Sequence, residues 1–452
     1  GKYLLTASVR ADGSSKFGVN KRWGNFPSAS VGWRISDEQF MESVSFISDL
    51  KLRVSYGLTG NFKIPNYGAL GSMAYFAYVF GNNPPKAVNG AAPTSRPNPN
   101  LSWEKTAQTN FGLDAGFWSN RLTVSLDYYN SNTKDLLLNV PVPISTGFST
   151  DLINIGKVNN RGFEVNLGTS NRFGNLVWNA SVNFSTNKNK VIELGPGNAD
   201  IINSGSVANA YFITRVGEPI GSYFLPKVLG VFATQADVDA YPHFMDAASN
   251  FGLATTKPGD FKFWDADGDG KINLTSDRTI IGSYQPKYTF GFATDLQWKG
   301  FDFSVALQGV NGNKILNLGR RYFYNHEDIM NNYAGAVNRW KSESDPGSGK
   351  NARANRVGKG QNGITSSWHV EDGSYLRIRN ITLGYSLPSP VIERWGVTKT
   401  RVYLSLQNMF TFTKYEGYNP EVSNRSVSTT NGEDYGVYPT AKTVSVGINL
   451  TF

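Results

Sequence analysis

One segment of the chain combines residue types and spacing that could bind a metal ion. From Asp265 onward it reads D-A-D-G-D-G-K-I-N, with acidic residues at alternate positions. Alternating carboxylates converge on a hard cation, Gly270 allows the sharp turn that such a loop needs, and Ile272 can anchor the loop. The predicted ligands of a structural calcium or magnesium ion are Asp265, Asp267, Asp269, the carbonyl of Lys271, Asn273 and Asp277.

This loop departs from the EF-hand pattern near its end. Ser276 stands where a bidentate glutamate is expected, and Asp277 follows one residue later. Asp277 can take that role after a small shift of the backbone. The alternative is a loop of Asx turns that binds no metal. The sequence implies no required cofactor.

Other constellations with catalytic potential are incomplete. The G-S-G-K run at 347–350 lacks the earlier glycine of a phosphate loop, and the histidines His243, His326 and His369 are dispersed. No G-x-S-x-G elbow is present. Several carboxylates are expected as isolated charges on polar strand faces, with an acid/base pair for glycoside cleavage as the alternative; they are Asp114, Asp127, Glu164, Asp295 and Asp302. We therefore predict a protein that is not an enzyme.

Two aromatic-rich segments, 75–80 and 320–327, are candidate ligand contacts. Sugar rings stack on aromatic faces, and peptides bury side chains against them. The alternative is that these rings pack the loops together or meet a partner that covers them. The predicted substrate-binding residues are Tyr75, Phe76, Tyr78, Tyr322, Phe323 and Tyr324.

Composition excludes several protein classes. The 452 residues contain no Cys, which excludes disulfide scaffolds and cysteine zinc sites. The net charge of +9 is scattered, without the basic run expected of a nucleic-acid face. Mean hydropathy is −0.34, and no stretch approaches the roughly 18 apolar residues of a transmembrane helix.

The dominant pattern is period-2 alternation in segments of about ten residues, which predicts β-strands. In the last segment Val444, Val446, Ile448 and Leu450 share one face, while polar or small residues occupy the other. About twelve such strands are predicted, near 3–11, 26–35, 50–59, 105–118, 120–130, 161–170, 174–185, 286–298, 300–310, 374–386, 400–411 and 441–452.

The connections between these strands alternate between short and long. Joins at 119, 171–173 and 299 are tight, whereas 36–49 and 387–399 could each hold a short helix. The alternate joins are long at 60–104, 131–160, 186–285, 311–373 and 412–440, and only 12–25 is shorter. This parity is typical of an all-β, antiparallel up-and-down transmembrane β-barrel with short periplasmic turns and long extracellular loops. Aromatic residues near the ends of the apolar faces favour the same fold.

Two details refine this prediction. Leu376 and Ile378 lie on one parity but Ile381 and Leu383 on the other, so a β-bulge is expected near Arg379–Asn380. The alternative is that the upper part of this strand projects above the membrane. The terminal Phe452 fits the C-terminal aromatic residue that assists assembly of outer-membrane barrels.

Several stretches resemble the SusC/RagA family of TonB-dependent receptors from Bacteroidetes. They occur in the family's order from end to end: 11–38, 50–61, 98–114, 153–167, 216–224, 265–273, 281–292, 370–388, 404–421 and the closing G-I-N-L-T-F. The resemblance implies an outer-membrane location and import of oligosaccharides or peptides. It also implies a SusD-like surface lipoprotein as a lid, energy from the TonB complex, and contact with outer-membrane lipids.

The resemblance covers only the later half of such a barrel. Residues 1–452 would form the C-terminal part of a barrel of about 22 strands. The plug, the N-terminal extension and the signal peptide map onto no residue here, so we expect the natural protein to be longer. A passive outer-membrane porin is the runner-up function. A soluble β-rich domain that binds or hydrolyses carbohydrate is a third interpretation.

Overall fold

The computed structural model describes residues 1–81, 85–244, 256–324, 327, 330–355, 360–388, 396–422 and 428–452. The chain divides into two compact units. The first comprises Gly1–Ile201 with Arg215–Glu218, and the second comprises Ile202–Thr214 with Pro219–Phe452.

Seven long strands form the sheet of the first unit. Each pairs antiparallel with the next along the chain. They are β1 (Tyr3–Gly13), β2 (Trp23–Arg34), β3 (Ile47–Asn61), β4 (Glu104–Phe117), β5 (Leu122–Lys134), β6 (Lys157–Phe173) and β7 (Leu176–Thr186). A short strand, Lys188–Glu193, continues β7 and pairs with the start of β6.

Five long strands form the corresponding sheet of the second unit. They are β8 (Tyr288–Trp298), β9 (Phe301–Asn311), β10 (Tyr375–Ser386), β11 (Lys399–Thr413) and β12 (Thr443–Thr451), again paired antiparallel in chain order. Within the described residues, these twelve long strands coincide with the twelve that the alternation predicts. The antiparallel all-β fold is therefore confirmed.

The short connections are as tight as the sequence predicts. Lys299 and Gly300 both have positive φ, as a two-residue hairpin turn requires. The join between β2 and β3 holds two single-turn helices, Ile35–Asp37 and Gln39–Met41. The corresponding prediction for 387–399 falls largely on residues 389–395, outside the described part of the chain.

The long connections carry the remaining elements. The short strands are Met73–Phe80, Lys86–Pro93, Leu137–Pro141, Thr150–Asn154, Ile201–Ser204, Tyr211–Thr214, Ser222–Pro226, Val228–Val231, Phe261–Phe263, Arg278–Gly282, Lys314–Asn317, Val370–Asp372 and Glu433–Asp434. The helical segments are Gln235–Asp239, Arg320–Phe323, Ile144–Thr146, Pro196–Asn198, Ala334–Asn338, Ser367–His369 and Ser428–Thr430. Across the described residues, none of the helices has the length and apolar character needed to cross a bilayer.

Burial is inverted relative to a water-soluble sheet protein. The apolar faces of the long strands are exposed, with Leu5 78% and Val446 75% accessible. The buried apolar clusters lie mainly in the connections, for example Phe212, Tyr223 and Leu316 in the second unit. A water-soluble sheet would cover its apolar face instead. The strand faces are therefore suited to lipid, and the connections are suited to water.

A β-bulge interrupts β10 at the predicted position. Ala306 of β9 pairs with Asn380, but Leu307 pairs with Ile378, so Arg379 has no partner across the ladder. The extra residue moves the apolar side chains onto the other sequence parity while they stay on one face. The bulge inferred from the parity change in the sequence is confirmed.

Candidate functional site

The loop from Asp265 brings three carboxylates together. Asp265, Asp267 and Asp269 place oxygen atoms within 4.8 Å of one another, the one such group of His, Asp or Glu side chains found across the described residues. Asp265 shapes the loop, because Oδ1 accepts the N–H of Gly268 at 2.7 Å and Oδ2 accepts that of Gly270 at 2.9 Å. Hard oxygen donors at this spacing suit a calcium ion.

Asp277 and Asn273, two of the other predicted ligands, bond to backbone N–H groups of the loop, and their binding of an ion stays a prediction. Asp277 lies outside the three-carboxylate group, and 1% of its surface is accessible. Its carboxylate accepts the N–H groups of Ala266 at 2.8 Å and Asn273 at 2.5 Å, so it ties the two ends of the loop together. Asn273 in turn caps the N–H of Thr275 at 2.8 Å. A ligand role for the Lys271 carbonyl likewise stays a prediction.

Ile272 anchors the loop as the sequence predicts. Its side chain is 8% exposed and belongs to an apolar cluster with Phe244, Phe261, Phe263 and Ala352. The acidic loop is therefore fixed to the body of the second unit at its centre by Ile272 and at its ends by Asp277.

The first aromatic segment forms an exposed hairpin. Met73–Phe80 pairs with Lys86–Pro93, and the rings of Tyr75, Phe76 and Tyr78 are 84%, 54% and 65% accessible. An isolated two-stranded hairpin is marginally stable in water. These rings are free to contact a ligand or a partner.

The second aromatic segment packs against other connections. Tyr322 lies 3.2 Å from Tyr435, hydroxyl to hydroxyl. The rings of Phe323 and Tyr333 are 4.8 Å apart, and those of Tyr324 and Trp368 are 5.8 Å apart. The observed contacts of this segment are therefore packing contacts between loops, which is one of the two alternatives that the sequence left open. Substrate contact by Tyr322, Phe323 and Tyr324 stays a prediction.

Tyr324 also lines a cleft of about 520 Å³ in the second unit. Its polar lining includes Asn338, Lys350, Asn351 and Glu416. The cleft lies between the strand Val228–Val231, the helix Arg320–Phe323, the helix Ala334–Asn338 and the segment 348–351. Charges of both signs beside amide groups can bind zwitterionic or hydroxyl-rich ligands.

Arg320 organises one wall of this cleft. Its guanidinium lies over the Trp368 ring, 4.6 Å from the centroid, and donates to the Trp368 carbonyl at 2.7 Å. It also pairs with Glu416 at 3.0 Å and with Glu371 at 3.3 Å. Arginine thus holds Trp368 and the half-exposed Glu416 in fixed positions. Sequence reasoning missed this wall because its residues are far apart in the chain.

The histidines make no metal site in the described residues. His369 is fully buried, and its Nδ1 accepts the N–H of Ser366 at 3.1 Å. Burial, reinforced by the positive charges of Arg320 and Arg321, lowers the pKa of His369 to about 3. His243 bonds to a backbone carbonyl at 2.7 Å. His326 lies outside the described residues.

The expectation that the strand carboxylates are isolated is wrong for three of them. Asp114 pairs with Arg53 at 2.7 Å and with Lys51 at 2.9 Å, while Asp127 lies 3.1 Å from Arg53. Asp302 pairs with Arg401. The reason is register: Lys51 lies directly opposite Asp114 on the neighbouring strand. The Asp114 pairs tie the neighbouring strands β3 and β4 together, whereas Asp127–Arg53 and Asp302–Arg401 each reach across an intervening strand.

Phe452 follows β12 directly, and 82% of its surface is accessible. Its side chain is therefore available for contact with other molecules. A role in membrane assembly stays a prediction.

Comparisons with known proteins agree with one another. The model of the family "TonB dependent receptor-like, beta-barrel" matches residues 1–409. The chain is 37% identical over 484 residues to TonB-dependent receptor P39 of Formosa agariphila, covering all of this chain and 45% of that protein. It is 32% identical over 467 residues to TonB-dependent receptor SusC of Bacteroides thetaiotaomicron, covering all of this chain and 42% of that protein.

A solved structure shares the fold along the whole chain. The RagAB peptide transporter superposes with a TM-score of 0.80 at 27% identity, covering 100% of this chain and 46% of that one. The chain therefore spans slightly less than half the length of the relatives it matches.

Proposed function

Because this chain belongs to the TonB-dependent receptor-like β-barrel family, we propose that the protein imports bulky nutrients across an outer membrane. The transport is driven through the TonB complex, since no nucleotide energy source exists at that membrane. The protein binds and releases its cargo without covalent chemistry. The cargo leaving the transport cycle should therefore have the mass with which it entered.

The inverted burial of the strands is the observation that best supports this proposal. Apolar strand faces such as that of β12 are exposed, while the long connections have their own buried clusters. Such strands are stable in lipid, where paired strands satisfy their backbone groups within the protein. Large, well-packed connections on one side of the membrane suit recognition of cargo.

The cleft beside Tyr324 is the proposed cargo contact. Lys350 and Glu416 offer charges of opposite sign, and Asn338 and Asn351 offer amide groups that both donate and accept hydrogen bonds. Peptide backbones and termini fit this set, and so do the hydroxyl groups of an oligosaccharide. We propose that the cargo belongs to one of these two classes.

A SusD-like surface lipoprotein is the proposed partner. The exposed rings of Tyr75, Phe76 and Tyr78 offer an apolar contact of the kind that interfaces favour. Such a lipoprotein would cover the long connections and deliver cargo to them. Replacing Tyr75 and Tyr78 by serine should weaken its co-purification without unfolding the hairpin's neighbours.

The acidic loop is the proposed site of a structural calcium ion. Asp265, Asp267 and Asp269 would hold the ion, and Asp277 would keep the loop closed around it. The ion would supply no chemistry beyond rigidity. A calorimetric titration of the purified protein that shows no heat on addition of calcium would remove this proposal.

The experiment that tests the function is uptake by intact cells. Cells with and without the gene for this protein are given labelled oligosaccharides and labelled peptides too large for porins. Loss of uptake of one class on gene disruption supports the proposal and names the cargo. Equal uptake of both classes by the two strains would refute it.

A further inference from the structure

Five basic side chains form one patch on the exposed face at one end of the first unit's sheet. This basic patch consists of Lys105, Lys134, Arg161, Lys188 and Lys190, all exposed. Lys105 pairs across the ladder with Lys134, Arg161 pairs with Lys188, and Lys190 pairs with Asn159. The residues come from β4, β5, β6 and the strand Lys188–Glu193, where these strands enter the long connections.

Register and contacts place the patch on a single face. Residues directly opposite each other on neighbouring strands point to the same side of a sheet. Between the basic residues, Asn159 donates to Asn130 at 2.6 Å and to Asn132 at 2.9 Å, which confirms that these side chains share the face. The other face at this level is covered, with Thr133 9% exposed and bonded to Thr106.

The same face continues downward as the apolar surface of the strands. Phe111, Tyr128 and Phe163 form one row across β4, β5 and β6. Below them Leu113, Leu126 and Val165 form the next row on that face. Aromatic residues at the edge of an apolar band mark the interface between a membrane and water.

The basic patch begins just beyond this aromatic row. Arg161 lies two residues above Phe163, and Lys134 lies six residues above Tyr128. At roughly 3.3 Å per residue and a strand tilt near 40°, the patch rises from about 5 to about 15 Å above the row. The headgroup zone occupies roughly the first 5–8 Å of that height. Long lysine side chains above it can bend back toward the headgroups.

The charges of the patch are not compensated within the described residues. None of its five members makes an ion pair with an acidic side chain there, whereas neighbouring Lys157 is paired with Glu193. Lys105 and Lys134 lie directly opposite each other, an arrangement of like charges that destabilises a sheet. An anionic partner would remove this cost.

We propose that the basic patch binds the phosphate groups of a phosphorylated glycolipid in the outer leaflet of the membrane. This inference rests on the proposed function, which sets the apolar strand faces in an outer membrane with the long connections outside. The patch is continuous with the lipid-facing surface, so a lipid whose chains cover Phe111 and Leu113 presents its headgroup to Lys134 and Arg161. Arginine and lysine are the side chains best suited to phosphate oxygens.

The test uses the full-length protein, stripped of lipid and held in a neutral detergent. Its thermal midpoint is measured with a phosphorylated glycolipid (lipid A), with the same glycolipid after removal of its phosphates, and with inorganic phosphate. The proposal predicts a rise in the midpoint with the phosphorylated glycolipid alone. An equal rise with the phosphate-free form, or with inorganic phosphate, would overturn it.

A triple variant locates the site. Lys105→Gln with Lys134→Gln and Lys190→Gln should bind the phosphorylated glycolipid on the order of 100-fold more weakly. Without lipid this variant should be at least as stable as the parent, because it relieves the repulsion between Lys105 and Lys134. Replacing the same three lysines by arginine should preserve binding.

A matched control removes the same charge elsewhere. Lys21→Gln with Lys63→Gln and Lys86→Gln changes three exposed lysines of other connections and should leave glycolipid affinity unchanged. Equal affinity in the parent, the patch variant and the control would overturn the proposed glycolipid site. It would not count against the proposed function in nutrient import. Absence of the parent protein from outer membranes would instead count against the proposed function.

Discussion

Replacing Glu421 by glutamine should free the segment 414–422 from the strand to which it is tied. Glu421 lies between two arginines of β10: its Oε2 is 2.5 Å from Nη1 of Arg377, and its Oε1 binds Arg379. Oε1 also accepts the hydroxyl of Tyr375 at 2.8 Å. Arg377 is 2% exposed and donates to Asn419 at 2.9 Å, so the segment is attached through two of its own residues.

The magnitude follows from what the substitution leaves behind. Breaking a buried ion pair costs about 3–5 kcal/mol, because one charge remains buried without its partner. Glu421 is 26% exposed, which reduces this cost. Glutamine also keeps one acceptor oxygen for Arg377. We therefore expect a loss of about 2–3 kcal/mol, which corresponds to a roughly 30- to 150-fold increase in local opening.

Hydrogen exchange of the full-length protein measures this opening. Amides of 414–422 should exchange faster by that factor in Glu421→Gln, while amides of β1 to β7 keep their rates. The control is Glu416→Gln, which removes a half-exposed ion pair with Arg320 and should change exchange by less than about fivefold. Unchanged exchange in Glu421→Gln would refute the assignment of Glu421 as the residue that ties this segment down.

Three further perturbations test the buried histidine, the acidic loop and the cleft. Burial lowers the pKa of His369 from 6.5 to about 3 in the folded protein. As the pH falls below 6.5, the unfolded segment therefore binds a proton that the folded segment does not bind. The contribution of neutral His369 to the free energy of unfolding is therefore complete above pH 6.5 and should decline below it by about 1.4 kcal/mol per pH unit. Hydrogen exchange of 366–372 measures this decline, and His369→Asn should abolish it. Asp267→Asn should remove a calcium-dependent rise in thermal midpoint, whereas Asp277→Asn should loosen the loop even in a chelator, because its carboxylate holds two backbone N–H groups. Lys350→Gln should weaken cargo binding by up to about tenfold, measured by titration calorimetry, through loss of a charge-assisted hydrogen bond.

Each of these three has its own contradicting result. The same pH slope in His369→Asn would assign the acid sensitivity to another group. Equal responses of Asp267→Asn and Asp277→Asn to calcium would contradict the different roles assigned to the two carboxylates, ion binding for Asp267 and loop closure for Asp277. For Lys350, the matched control is Lys341→Gln, which lies outside the cleft and pairs with Asp345. Equal cargo affinity of the two lysine variants would exclude Lys350 from the site.

The strands could be predicted from the sequence because their signal is local. Alternation fixes which residues share a face, and a change of parity in the sequence predicts the bulge at Arg379 without knowledge of the strand pairing. The family resemblance, now confirmed, added the order of motifs along the chain. Ile272 could be recognised as an anchor for a similar reason, because its place in the acidic loop is set by spacing alone.

The cleft could not be predicted, because its residues have no pattern in the sequence. Its wall joins Arg320 to Trp368 and Glu416, which are brought together by the packing of separate connections. The ion pair between Glu421 and Arg377 also joins residues that are far apart in the sequence and follow no pattern in it. In contrast, the ion pair of Lys51 with Asp114 could have been predicted from the sequence. When the polar faces of β3 and β4 are aligned, these two residues lie opposite each other.

TonB-driven import is tested by asking whether cargo uptake depends on the TonB complex. Cargo uptake is compared in parent cells, in cells lacking this protein, and in cells whose TonB complex is inactive. We expect uptake without TonB activity to fall to the level of cells lacking the protein. Uptake that requires the protein but persists without TonB activity would refute TonB-driven import and identify a passive channel.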